Sequence, residues 1–256
     1  LDNRSGSTYR NAKLKLVAGD IHRAEGEMKM MDYARKMEAY AAAPAPAFSE
    51  HSFFEYHLYS LQRPTTIKDN ESKQVSLLSG TDIPVNKKYL FYGSQNYYQA
   101  SYPNPVLNQK VSVMVEFENK KDKHLGMALP KGTIRVFKND QDGSQQLIGE
   151  SNIDHSPKDE TIKLKLGEAF DIVADRRQTE WKKIARNEYD VSFEIVFRNH
   201  KDSPVTINDI EPMFGDWEIL SHSHDFKKLD SGSIQFDVLV PSNGSSSLQY
   251  RARVTF

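Results

Sequence analysis

Three times in this chain an apolar residue, any residue and an asparagine run straight into a short polar turn. The copies read Leu1-Asp2-Asn3-Arg4-Ser5-Gly6, Phe117-Glu118-Asn119-Lys120-Lys121-Asp122 and Phe197-Arg198-Asn199-His200-Lys201-Asp202. Asparagine tolerates the left-handed backbone and hydrogen-bonds its own main chain, so it suits the residue at which a strand folds over. Another strand-like run follows each copy within a few residues. Punctuation of this kind predicts a sandwich of repeated β-hairpins. It speaks to architecture and is silent on chemistry.

Five segments alternate cleanly between apolar and polar residues. Val111, Val113, Val115 and Phe117 share one face, and Ile162, Leu164 and Leu166 another. Tyr189, Val191, Phe193, Ile195 and Phe197 form the cleanest stripe. Ile234, Phe236, Val238 and Val240 make a fourth, and Tyr250, Ala252, Val254 and Phe256 a fifth. Period-two alternation means one buried and one wet face, the pattern of antiparallel sheets. Turn signals at Pro130-Lys131-Gly132, Asp142-Gly143, Asp202-Ser203-Pro204 and Asn243-Gly244 separate the runs. The expected class is all-β, built from antiparallel β-sandwich domains.

Two stretches break the pattern. Met28, Met31, Ala34 and Met37 recur at near-helical spacing before Ala43-Pro44-Ala45-Pro46, which fits a short helix with a linker or a partly ordered tether. Gly167 to Arg186 begins as a strand and turns polar at Arg176-Arg177-Gln178. It reads as the outgoing arm of a long hairpin returning through Tyr189 to Phe197, with a helical turn near Trp181 as the other option. The expected division is residues 1–47 as an N-terminal strand plus helix or linker, 48–185 as a β-sandwich, and 186–256 as an immunoglobulin-like sandwich. The last block is short of the roughly 100 residues usual for that fold.

Composition narrows the function classes. The net charge of −1 offers no basic field for nucleic acid or anionic lipid. No run of about 18 apolar residues is present to span a membrane as a helix. With no cysteine in the chain, disulfides, thiolate zinc sites and thiol nucleophiles are excluded. Leu1-Asp2-Asn3 reads like the end of a strand, so a longer parent chain with its own targeting signal is expected.

The familiar catalytic motifs are missing: no G-x-S-x-G elbow, H-E-x-x-H pair, Walker loop or G-x-G-x-x-G. His222-Ser223-His224-Asp225 would aim two imidazoles the same way from a strand, but no third ligand is identifiable, so no metal site is expected. Asn139-Asp140-Gln141-Asp142-Gly143 echoes a calcium loop, yet the register puts Lys138 at the first ligand position and Gly149 at the last, which favours a hairpin turn. Glu116 with Glu118, and Asp159 with Glu160, read as solvated acids rather than a glycosidase pair. The candidate ligand-binding residues are Tyr97, Tyr98 and Tyr102, in a Gln/Asn/Ser-rich loop leading into Pro103-Asn104-Pro105. Exposed tyrosine on an ordered loop binds glycan or protein with large contact area at small entropic cost. Alternatively, the rings cap the end of a sandwich.

Several ordered segments resemble one family. Ala12-Lys13-Leu14-Lys15-Leu16-Val17-Ala18-Gly19-Asp20 is similar to its "A-x-L-x-L-V-A-G-D" stretch, and Phe53-Phe54-Glu55-Tyr56-His57-Leu58-Tyr59 to its first strand. Leu125 to Phe137 resembles its "G-x-x-L-P-x-G-x-x-R-V" motif. Ile148-Gly149-Glu150 with Ile153-Asp154-His155-Ser156-Pro157 resembles "G-E … I-x-H-T-P", Ser156 standing for the family's threonine. Leu166-Gly167-Glu168-Ala169-Phe170-Asp171 resembles "L-G-x-A-F-D". Together these resemble the bacterial domain of unknown function 4139 over nearly the whole chain. The resemblance implies a β-rich, exported protein, periplasmic or extracellular, with no catalytic residues to carry over.

The reading that follows is a non-enzymatic binding or structural module of the cell envelope, without a cofactor, acting on glycan or protein through sheet edges and the Tyr-rich loop. The rival reading is an envelope hydrolase with its site assembled between two β domains.

Overall fold

A computed structural model of the chain describes residues 1–19, 48–213 and 215–255. The expected Met-rich helix or tether lies outside the described residues. What is described is almost wholly β, as the alternation requires. The first strands are β1 (Asp2–Asn3), β2 (Tyr9–Ala12), β3 (Lys15–Ala18), β4 (Phe48–Phe53), β5 (Tyr56–Leu61), β6 (Thr65–Ile67) and β7 (Glu71–Ser72). Longer ones follow: β8 (Asn86–Tyr92), β9 (Val106–Glu118), β10 (Gly132–Asn139), β11 (Gln145–Ile153) and β12 (Thr161–Ala185). The chain ends with β13 (Glu188–Asn199), β14 (Val205–Pro212), β15 (Asp216–His222), β16 (Phe226–Asp230), β17 (Ser233–Val240) and β18 (Gly244–Thr255).

The three signature asparagines are one device used three times. All three side chains are buried. Asn3 donates through Nδ2 to Ser7 O and Lys68 O, both at 2.8 Å, Asn119 to Met127 O and Pro157 O at 2.7 Å, and Asn199 to Ser203 O at 2.9 Å and Pro241 O at 3.0 Å. Each Oδ1 accepts a backbone N–H, from Ser5, Gly126 and Lys201 respectively. Each carboxamide therefore ties its own loop to a second turn. The left-handed residue, expected at the asparagine, lies in that second turn: Asn70, Asp159 and Asn243 have φ of 56°, 68° and 49°. The strand that opens next (β7, β12 or β18) lies beside the strand that ends at or just before the asparagine (β1, β9 or β13).

Close packing divides the chain into two compact units made of interleaved segments, not the consecutive blocks expected. One comprises Leu1–Pro84, Phe117–Thr133 and Asn152–Ile162; the other comprises Val85–Glu116, Ile134–Ser151 and Lys163–Phe256. In the first unit β3, β5 and β4 form a three-stranded sheet, while β1 pairs with β7 and β2 with β6. Tyr59 of β5 is buried there and donates its hydroxyl to Ala128 O at 2.8 Å. Burial, reinforced by the nearby Glu50 carboxylate, pushes that phenol up to about 12.

The second unit is dominated by a nine-stranded sheet in the order β15-β18-β13-β12-β9-β8-β14-β17-β16. Residues 186–256, expected to close an immunoglobulin-like sandwich of their own, instead draw on β12, β9 and β8 for neighbours. The sheet is also mixed, because β14 runs parallel to β8, pairing Ile207 with Tyr89 and Ile210 with Tyr92. The long hairpin is present: β12 and β13 are antiparallel from Ile172↔Asn199 to Ala185↔Glu188. Trp181 stays in the strand, its ring stacked on Tyr189 at 4.6 Å.

β17 and β18 lie far apart in the strand order, yet Phe236 and Tyr250 stack at 5.3 Å. The sheet therefore bends round and packs its inner face on itself. Val191, Phe193, Ile195 and Phe197 from β13, and Ile234, Phe236, Val238 and Val240 from β17, meet in one core. Burial of each such large side chain contributes about 1.5–3 kcal/mol.

Candidate functional site

The Tyr-rich loop belongs to the second unit and is built on a buried ionic network. β8 ends at Tyr92, and Gly93 follows with its Cα against Glu211; a Cβ there would meet the carboxyl carbon at 2.7 Å. A 3-10 turn, Gln95–Tyr98, then drives Tyr98 into the core, where it is 0% exposed. The hydroxyls of Tyr98 and Tyr250 are 2.7 Å apart, and Tyr250 lies 2.9 Å from Glu211 Oε2. Tyr98 also lies within donating distance of Glu211 Oε2, at 3.2 Å, so both phenols converge on one carboxylate oxygen.

Glu211 is in turn bridged by Arg176, whose Nη1 donates to Oε2 at 3.2 Å while Nη2 bonds Oε1. Arg176 is 2% exposed and Glu211 0%. The guanidinium lies over the rings of Tyr97, Phe193 and Phe91 at 5.2, 5.4 and 5.5 Å, so it is held by π-faces as well as by its carboxylate. Burial, the largest single influence, would pull the Arg176 guanidinium down, but the charge and hydrogen bond of Glu211 together with Tyr250 and Asp209 hold it up. Burial and then the Glu211 charge push both phenols well above their ordinary range. Asp209, also fully buried, has no hydrogen-bond partner for either carboxyl oxygen among the described residues. Burial first, and the adjacent Glu211 charge second, push its carboxyl well above the ordinary range, which favours its protonated form.

Of the three tyrosines proposed from the sequence, Tyr98 is thus a core anchor with no surface to offer a ligand. Tyr97 and Tyr102 are half-buried and meet edge to face at 5.2 Å. Gln178 fixes them from β12: its Nε2 donates to Tyr97 O at 2.8 Å and Ala100 O at 3.0 Å, and its Oε1 accepts from Tyr102 N at 2.7 Å. The loop presents two ring surfaces on a frame pinned from beneath, which is the geometry of a preorganised contact patch.

The other sequence candidates are accounted for locally. His222 Nδ1 lies 2.9 Å from His224 O, and His224 Nδ1 lies 2.9 Å from Ser223 Oγ. Among the described residues no group of three or more His, Cys, Asp or Glu is arranged to hold a metal. Asp140 to Gly143 is the turn between β10 and β11, with Gly143 at φ 87°. Glu116 pairs with Lys88 at 2.5 Å. Glu118 pairs with Lys120 at 2.8 Å, and that bond holds its carboxyl below the usual range. Asp159 is the left-handed residue of a turn.

The first unit contains a different constellation that the sequence did not single out. A cavity of about 190 Å³ is lined by Gly19, His57, Tyr59, Leu129, His155 and Ser156, among others. His57 Nδ1 lies 2.7 Å from Glu50 Oε1, leaving Nε2 as the ring's other polar atom. His155 Nδ1 accepts from Lys131 N at 3.2 Å, which makes its Nε2 the protonated nitrogen of the neutral ring. No family model and no curated protein matches the chain.

Proposed function

We propose that this chain is a non-catalytic binding module of the bacterial cell envelope, taking hold of glycan or protein chiefly through the face formed by Tyr97 and Tyr102. The observation that carries the reading is the Gln178 clamp over the Arg176–Glu211 network. A loop ordered before its ligand arrives loses little entropy on binding, and tyrosine supplies contact area with few rotors to freeze. Tyr98 serves this site as its anchor. The end strands of the large sheet, β15 and β16, offer a second mode, strand addition, to a protein partner. Placement in the periplasm or outside the cell follows from the family resemblance alone.

The test is a thermal-shift screen against envelope glycans. A ligand at about 100 times its dissociation constant adds roughly 2.7 kcal/mol of stability. The reading expects a shift that Tyr102→Ala removes while leaving the unliganded melting temperature nearly unchanged. If no glycan in the screen gives a shift that Tyr102→Ala or Tyr97→Ala removes, the placement is contradicted.

One observation favours a hydrolase with its site inside the first unit, a placement other than the inter-domain site expected from the sequence: the Glu50–His57 pair at the cavity, a carboxylate-oriented imidazole such as serves as a general base. Turnover of a chromogenic acyl ester that is lost in His57→Ala, and follows a pH profile set by one imidazole, would replace the binding reading.

A further inference from the structure

The outer face of the large sheet carries two polar rows across the neighbouring strands β12, β13, β18 and β15. Register places Glu180, Ser192, Arg251 and Ser221 in the first row. Arg177, Glu194 and Gln249 continue the second, joined by Ser223 through its backbone bond to Gln249 O. Phe193 and Tyr250 point into the core, so the residues on either side of them in β13 and β18 point out.

This face is not flat. It holds an open trench of about 420 Å³, lined by Ser192, Glu194, Ser221, Ser223, Gln249 and Arg251 with Thr179 and His222. The backbone explains the concavity. β12 carries an irregularity between Gln178 and Glu180, and β15 one between Ile219 and Ser221, both at the level of the first row. β13 and β18 pair without interruption between them. A bulge bends its strand and adds twist, so the two outer strands turn relative to the regular pair they flank.

The chemistry in the trench is balanced. Of the lining residues, Arg251 answers Glu194. Gln249 Nε2 donates to Glu194 Oε1 at 2.9 Å, and Gln249 N donates to Ser223 Oγ at 2.8 Å. Arg251 is held by Asp190 at 2.7 Å, and its buried Nε makes no hydrogen bond among the described residues but pairs with Glu180 at 3.8 Å. Donors and acceptors thus alternate on rigid strands without net charge. A sugar hydroxyl both donates and accepts, so adjacent hydroxyls fit such a surface. An anion would meet Glu194, and a cation would meet Arg251.

We infer that this trench is a binding site for a neutral saccharide. The inference rests on the binding-module reading and gives it a glycan class, through residues other than the Tyr-rich loop. The test is an NMR titration of the ¹⁵N-labelled chain with maltotetraose, chitotetraose and tetragalacturonate. The expected result is that a neutral tetrasaccharide moves the amides of Ser192, Glu194, Ser221 and Gln249. Glu194→Ala and Gln249→Ala each weaken that binding at least tenfold, with spectra otherwise preserved, and Tyr102→Ala leaves it intact. The proposal is overturned if neither neutral sugar moves those amides, or if tetragalacturonate binds there more tightly. A saccharide response confined to Tyr97–Tyr102 and lost in Tyr102→Ala would sink the trench and leave the binding module standing.

Discussion

Asn119 and Asn199 each satisfy two carbonyls and at least one N–H with a single buried carboxamide. Replacing either by alanine leaves those groups buried without partners, at a cost of roughly 2–3 kcal/mol by urea unfolding. Aspartate, the same shape without the donors, should be no better; full recovery by aspartate would show that shape alone matters. Asp209 makes the opposite kind of prediction. Its folded carboxyl keeps its proton to higher pH than the unfolded one, so below the ordinary carboxyl range it costs nothing extra. As pH rises through that range toward the folded value, only the unfolded state ionises and stability falls. The difference in stability between Asp209→Asn and the parent should therefore grow in the variant's favour from pH 3 to pH 8; a difference constant with pH would refute the neutral acid. These buried groups were legible in principle. Val205 and Ile207 share a face with Asp209 and Glu211, and Ile172 and Ala174 with Arg176. Reading Arg176 as the point where a strand turns polar missed that the stripe continues into the core with charges that answer one another.

The alternating runs gave the principal strands and the long hairpin because period two is set by the pleat itself. The parallel contact between β8 and β14 left no such trace, since the choice of neighbour depends on chain segments more than 100 residues apart. The loop from Gly93 to Pro105 was visible as an aromatic cluster, but which rings face inward is decided by Glu211 and Gln178, both distant in sequence. Gln178→Ala should therefore act on this element alone. Hydrogen exchange at residues 97–102 should accelerate by tenfold or more, the removal of about 1.4 kcal/mol, while amides of β13 keep their protection. Uniform acceleration across β13 would mean that Gln178 supports the core and not the loop.

For the whole molecule, the interleaving of the two units is what the sequence concealed most completely. Strand-like runs and turns taken in order suggest consecutive blocks, yet segments 117–133 and 152–162 group with the described residues before Val85. The repeated asparagine bracket was the visible part of that organisation, because each copy closes on a turn well removed along the chain. At this scale too, buried polar groups order the surface, as Gln178 and the Arg176–Glu211 pair do beneath the loop that carries Tyr97 and Tyr102. The direct test is to incubate the chain with chitotetraose and with an acetylated envelope glycan fraction, measure binding by calorimetry, and then weigh the recovered sugars by mass spectrometry. The account predicts a saturable heat and sugars recovered unchanged in length and acetylation. Shortened or deacetylated products, absent with His57→Ala, would show that this chain is an enzyme.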